Sequence, residues 1–340
     1  MTEFLPGIYK VLQKTDRGNT TEINIFIIPG KKGERSLMID AGFQDENCLA
    51  QMEGVLKELD ISYEDLDVFL THKHHDHSGL ASVYADRGAA IYMNPLEERH
   101  HYDCLFYSTK KTDPQEQDKV LHSVGVTEEG TPEVWDMFER VRKVVENHNG
   151  WTYEVQDFPY KPIAPGVVLH YGDYTFETID LKGHTFGQLG LFDKEHKIFF
   201  CADQVIDGIV PIVATTYPDE HLLRDYFVSL ERFRHEFKDC LLLPAHGKEI
   251  SDAKKVIDRI VFSYLDKVEI MHNTLEHSRK ARTIREIATI VYGMPHPPKD
   301  TAEFIKLKMI MSKCFSCLEY LRDEDFAVRE EKDGTFYWRP

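Results

Sequence analysis

The sequence predicts an α/β fold with a helical module appended at its C-terminal end. Three features predict it. Strand-length apolar runs recur in both halves of the first 250 residues, a segment of helical periodicity feeds straight into a buried strand, and beyond Gly247 the pattern turns to long helices. A helix leading into a buried strand marks an α/β unit, whereas successive long helices belong to a separately packed module.

Residues 23–29 and 36–40 are apolar runs separated by Gly30-Lys31-Lys32-Gly33, which reads as a β-hairpin. Residues 48–59 place Leu49, Met52, Val55, Leu56 and Leu59 at helical spacing, and residues 66–70 form a strand that ends in Thr71-His72. A strand at 89–93 precedes a polar and aromatic stretch, 97–160, with a helix-like segment at 132–148; this insertion is expected to form a lid or wall over a site. Strands return at 167–171, 174–180, 190–193 and 197–201, with Gly-Asp or charged turns between them. Helical patterns then cover 252–279, 283–292 and 302–321, and 327–338 reads as a hairpin about Asp333-Gly334. Helices closed by a hairpin look like a winged-helix module, although the acidic wing (Glu330, Glu331, Asp333) argues against DNA binding. The boundary falls near residue 250, giving a first domain over 1–250 and a winged-helix-like domain over 251–340.

With 42% hydrophobic and 29% charged residues in 340, the chain has enough apolar material for a substantial core, in one large domain or two. A net charge of -17 opposes long-range attraction to nucleic acid or to an anionic membrane. No cationic segment followed by an apolar core opens the chain, and no run approaches the roughly 20 apolar residues of a membrane helix, so a cytoplasmic location is expected. Six scattered cysteines do not form the dense framework of a small secreted domain; reduced thiols are expected.

Chemistry concentrates in Thr71-His72-Lys73-His74-His75-Asp76-His77-Ser78-Gly79, which leaves a strand end directly. Imidazole nitrogen and carboxylate oxygen are ligands that borderline ions such as zinc accept, and His72, His74, Asp76 and His77 fall within one short loop. Three more pieces stand at strand ends: Gly183-His184-Thr185, Ala202-Asp203 and Ala245-His246-Gly247. Each has a small neighbour that lets backbone approach a crowded centre. Singly these are ordinary; in this order they form a pattern.

That pattern, His-x-His-x-Asp-His, then Gly-His-Thr, then Asp, then His, resembles the metallo-β-lactamase superfamily over about residues 7–249. The resemblance implies an αββα sandwich over 1–250, with two divalent ions at one edge of its packed sheets. It assigns His72, His74 and His184 to one ion and Asp76, His77 and His246 to the other, with Asp203 bridging and His75 outside the set. Two ions about 3.5–4 Å apart share a hydroxide, lower its pKa and polarise the scissile group. Asp76 would be ligand, orienter of that hydroxide and proton carrier, with Thr185, Ser78 or Asp40 orienting the ligands from behind. Zinc is expected, with iron or manganese as alternatives; His74 stands where the diiron oxidoreductases of the superfamily typically carry Glu, which favours hydrolysis.

The resulting expectation is a metal-dependent hydrolase of an ester-type bond (thioester, lactone or ester) in a small-molecule substrate, resembling glyoxalase II, with the C-terminal helices walling the pocket and supplying contacts for a homodimer. The alternative is a phosphodiesterase or endoribonuclease, which the net charge opposes; a β-CASP-type insertion is not evident, and β-lactam hydrolysis is not expected. A binding protein with a vestigial fold ranks last, since all seven ligands are present. Core packing is favoured over chemistry for Cys201 and for Cys314-Phe315-Ser316-Cys317. For His100, His101, Tyr102, Phe106 and Tyr107 a pocket wall and loop packing stand equal. For Arg279, Lys280, Arg282 and Arg285 a solvated face is favoured over an anion-binding one.

Overall fold

The computed structural model describes residues 1–16, 21–102, 113–147, 157–293 and 298–340. The chain divides into two compact units. The first comprises Met1–His101, Thr152–Pro211 and Ser229–Ile257; the second comprises Tyr102–Trp151, Ile212–Val228 and Asp258–Pro340.

The first unit holds two sheets. One has seven strands in sequence order: β1 (Thr2–Leu5), β2 (Ile8–Lys14), β3 (Glu22–Ile28), β4 (Ser36–Ile39), β5 (Leu66–Phe69), β6 (Ala90–Met93) and β7 (Lys161–Pro162). Pairing is antiparallel as far as β4 and parallel from β4 to β7. The parallel steps require crossovers. Helix α1 (Glu46–Glu58), N-capped by Asp45, makes the first; the one-turn helix α2 (His75–Ser78) and α3 (Ala81–Asp86) lie in the second. The hairpin expected at 23–40 is the β3–β4 pair, with Phe26 opposite Ile39. Strands β1 and β2 were not read from the sequence.

The other sheet has five strands in the order β12-β11-β10-β9-β8, where β8 is Val168–Tyr171, β9 Tyr174–Asp180, β10 Leu189–Asp193, β11 Ile198–Ala202 and β12 Leu241–Pro244. Period-two alternation sorts the side chains into layers. Phe26, Ile28, Leu37, Ile39 and Phe69 of the first sheet meet Phe176, Leu189, Leu191, Phe200 and Leu243 of the second. On the other face of the first sheet, Val11, Ile25, Ile27 and Met38 pack against Met52, Val55 and Leu56 of α1 and Tyr84 of α3. Burial on both faces explains why β3 and β4 read as continuous apolar runs rather than alternating ones. Phe199, on the outer face of the second sheet, stacks on Phe233 from the end of helix α6 (Leu222–His235) at 5.0 Å. The layers are therefore helix, sheet, sheet, helix. A buried Asp67 on β5 ties the sheets by accepting from Arg35 Nε (2.7 Å) and from the Tyr171 hydroxyl (2.7 Å).

The second unit contains α4 (Pro114–Ser123), α5 (Pro132–Asn147), most of α7 (Ala253–Glu276), α8 (Ile284–Tyr292), α9 (Thr301–Asp323) and the hairpin β13 (Val328–Lys332) and β14 (Thr335–Arg339). The turn residues Asp333 and Gly334 both have positive φ, as a two-residue hairpin demands. Thr283 and Glu286 form a capping box on α8. The central part of the insertion packs here: Phe138 meets Phe304 at 4.5 Å, and Val124 and Gly125 accept from Arg285. Within the basic cluster Lys280 (3.0 Å) and Arg282 (3.8 Å) share Glu286, and Arg285 is half-buried. Cys314 and Cys317 are free and buried on α9, and burial pushes both thiols up, Cys317 to about 12. Among the described residues no helix is long and apolar enough to cross a membrane.

Phe200 fills the space between the sheets, with Phe26 at 5.0 Å and Phe176 at 5.7 Å edge-on to it. Phe200→Ala is expected to destabilise the fold by about 3–5 kcal/mol in urea titration. A loss below about 1 kcal/mol would show that the inter-sheet layer is not the main support.

Candidate metal centre

Five chain segments leave the C-terminal ends of strands and converge at one end of the sandwich. Asp40 follows β4, Thr71 to His77 follow β5, His184 follows β9, Asp203 follows β11 and His246 follows β12. The backbone is wound unusually at two of these exits: Asp40 has φ +64° and Ala202, just before Asp203, φ +49°. Non-glycine residues in the left-handed region persist where surrounding bonds over-determine them.

At Asp40 those bonds are visible. Its buried carboxylate accepts from the amide and hydroxyl of Thr71 (2.8 and 2.9 Å) and from Nδ1 of His77 (2.8 Å). The third bond fixes the His77 tautomer, so that Nε2 turns toward Asp203 Oδ1 at 3.6 Å and Asp76 Oδ1 at 3.9 Å. His246 is fixed alike: Nδ1 donates to the carbonyl of Glu22 (2.6 Å), and Nε2 stands 3.4 Å from both Asp76 Oδ2 and Asp203 Oδ1. Asn24 holds the His246 turn, its amides donating to the carbonyls of Ala245 (2.7 Å), Pro244 (3.1 Å) and Gly247 (2.9 Å). Ser78 closes the first loop by donating to the carbonyls of Lys73 and His74.

Three groups of side chains present donor atoms that all lie within 4.8 Å of one another: His72, His74 and His184; Asp76, His77 and His246; and His72, His77 and Asp203. The seven expected ligands are thus brought together, and His75 lies outside every group. His74 Nδ1 is 2.9 Å from His72 Nε2 and 3.1 Å from His184 Nε2. Asp203 faces both ways, Oδ2 lying 3.6 Å from His184 and Oδ1 facing His77 and His246.

The electrostatics suit a cation. Burial pushes Asp76 and Asp203 up, but the imidazoles of His77 and His246 outweigh it and hold both carboxyls below the usual carboxylate range. Burial presses His77 and His246 down, while Asp40, Asp203 and Asp76 raise the first and Asp203 and Asp76 raise the second to about 10. His72 is pushed well below its ordinary value by burial and then by His77 and His184. The two carboxylates thus favour positive charge on the groups that face them. His77 Nε2 and Asp203 Oδ1 are nevertheless buried with no hydrogen-bond partner among the described residues. A divalent ion supplies the missing partner and the charge, and the imidazole and carboxylate donors fit it.

Cys201 is a buried, hydrogen-bonded thiol: its Sγ donates to the carbonyl of Val205, and burial pushes the thiol up. Of the expected orienting residues, Asp40 contacts a candidate ligand directly, Ser78 holds the loop, and Thr185 donates to Glu97. Sequence reasoning passed over Asn24, Glu97 and Gln188, whose Oε1 accepts from the Asp203 amide (3.3 Å). Asn24 alone carried a signal, as a polar residue inside an apolar strand. The side chains of His100, His101, Tyr102, Phe106 and Tyr107 lie outside the described residues.

The metallo-beta-lactamase superfamily profile matches residues 19–246. The chain belongs to that superfamily. It is similar to the Gallus gallus acyl-coenzyme A thioesterase MBLAC2, 30% identical over 132 residues. That match takes in 36% of this chain and 45% of the relative, so less than half the relative's length is spanned. Two solved structures share the fold over nearly the whole chain. A metallo-beta-lactamase family protein from Thermus thermophilus superposes with a TM-score of 0.75 at 18% identity, covering 98% of this chain and 99% of its own. A beta-lactamase domain protein from Burkholderia ambifaria superposes with 0.76 at 19% identity, covering 99% and 93%.

Asp40→Ala should free the His77 ring and weaken metal binding about 10- to 100-fold in a chelator competition. An unchanged affinity would show that the Asp40 contact does not govern the orientation of His77.

Proposed function

We propose that this protein hydrolyses an ester-type bond in a small molecule, a thioester foremost and lactones or simple esters as related substrates, with two divalent ions, zinc in the first instance. His72, His74 and His184 would hold one ion and Asp76, His77 and His246 the other, with Asp203 lying between the two groups. The observation that carries this reading is the Asp203 carboxylate, one oxygen of which faces each cluster. Two ions so placed supply Lewis-acid polarisation of the scissile carbonyl and a water of lowered pKa, so no side-chain nucleophile is needed.

The protein's own part is to hold these donors in register and to move a proton. Asp76, beside His246 at 3.4 Å, orients the attacking water and carries its proton toward the leaving group. A thiolate is a good leaving group that needs little help from a proton, which suits a thioester to a site whose proton carrier is a carboxylate. The similarity to an acyl-coenzyme A thioesterase supports the same substrate class. Against phosphodiester cleavage stand the net charge of -17 and the exposed acidic hairpin at Glu330, Glu331 and Asp333.

Elemental analysis of the purified protein should find about two ions per chain, together with turnover of thioester model substrates. Two irons with no hydrolysis, or no metal at all, would overturn the reading. Asp203→Ala should lower kcat by at least about 10²- to 10³-fold, the scale of losing a transition-state stabiliser, with the circular dichroism spectrum retained. Thioester turnover should be nearly insensitive to salt, whereas a nuclease would lose activity steeply as phosphate contacts are screened.

A further inference from the structure

Glu97 lies just past β6, in the 3₁₀ turn Pro95–Tyr102, and its side chain is completely buried. Both carboxylate oxygens are engaged by donors rather than by a cation. Oε2 accepts from the amide of Lys73 (2.8 Å); Oε1 accepts from the hydroxyl of Thr185 (2.6 Å) and the amide of Gly187 (2.7 Å). Lys73 is the residue between His72 and His74, and Thr185 follows His184. One carboxylate therefore joins two loops whose histidines, His74 and His184, are 110 residues apart in the chain.

The surroundings are fitted to that contact. Asn94 sets the turn, its side chain accepting from the amide of Leu96 (3.1 Å) and its carbonyl from the amide of Glu97 (3.0 Å). Gly187 is bare where Glu97 approaches: a Cβ there would lie 2.9 Å from the Leu96 Cβ and 3.0 Å from Glu97 Oε1. The ammonium of Lys73 turns instead to Glu98 (3.1 Å), leaving its amide to Glu97. Asp76, His77 and His246 have no comparable tie to Glu97; their supports are Asp40, Asn24 and the Glu22 carbonyl.

We infer that Glu97 is a positioning residue for one ion of the pair: it sets the spacing of His72 and His74 against His184 and so governs the affinity of that group and not of its neighbour. The inference rests on the reading of those three imidazoles as the ligands of a single ion. Glu97→Gln keeps the volume and opposes an NH₂ to donors that require an acceptor. Stepwise titration of the metal-free full chain with zinc, in competition with a chromophoric chelator, should show one ion weakened about 10- to 100-fold and the other unchanged. In a His184→Ala background, where this group is already broken, Glu97→Gln should leave the affinity of the remaining ion unaltered.

Two unchanged affinities, or equal weakening of both ions, would overturn the inference; the second is what a merely structural role produces. If Glu97→Gln fails to fold, Thr185→Val removes one of the three donors and should weaken the same ion roughly fivefold, the value of one hydrogen bond; no change would overturn the inference as well. The readout is binding, so a wild-type chain that takes up two ions yet hydrolyses no ester defeats the proposed function and leaves Glu97 standing.

Discussion

The carboxylate of Asp40 emerges at the end of β4 and is shared between the amide and hydroxyl of Thr71 and the ring of His77, so the loop leaving β5 has a single direction available to it. Everything else at the centre is arranged around that constraint. The backbone of the same loop is pinned where the amide of Ala41 meets the carbonyl of His77 at 2.6 Å. With His77 immobile, Asp76 and His74 have few orientations left, and Ser78 removes most of those by bridging two loop carbonyls. The left-handed backbone at Asp40 is the local strain that this arrangement sustains.

The two sheets take different roles. The first contributes a loop dense in donors, because parallel β5 points its C-terminal end at the centre. The second contributes single residues, His184, Asp203 and His246, from three separate strand exits. A uniform apolar layer between the sheets, with Phe26, Phe176 and Phe200 at its middle, keeps these contributions at fixed separation. Close packing transmits small displacements, so the ligand geometry depends on a core that contains no ligand.

Much of the fold and of the candidate site was legible because both are written locally. Strands β3, β4, β10 and β11 are largely apolar runs bounded by turn residues, β9 alternates apolar and polar residues, and the expected ligands stand after strands beside small residues. What was missed is defined by partners distant in the chain. Glu97 reads as the polar start of an insertion until Thr185, 88 residues on, is seen to donate to it. Asn24 has no evident purpose until the turn after β12 closes over it. Helix α6 and strands β1 and β2 were passed over: polar and charged residues are interspersed among their apolar ones, and the buried face of α6, with Leu222, Tyr226, Leu230 and Phe233, shows only once the helix is formed. The basic cluster and the cysteine pair attracted notice as patterns and dissolve into local pairing and core.

Asn24 belongs to β3, yet the turn it grips, from Pro244 to Gly247, follows β12 of the opposite sheet. Neither half of the sandwich contains a complete ligand set, and the two halves are joined at this point by the backbone and side-chain amides of Asn24 and by the bond from His246 to the Glu22 carbonyl. The centre therefore does not exist in a partly made chain. An ion met during synthesis would find histidines in the N-terminal half but not Asp203, and tight loading would wait until β12 has docked. Metal uptake would in this sense be a check on completed topology: an ion would bind firmly only to a chain whose β3 and β12 have already found each other.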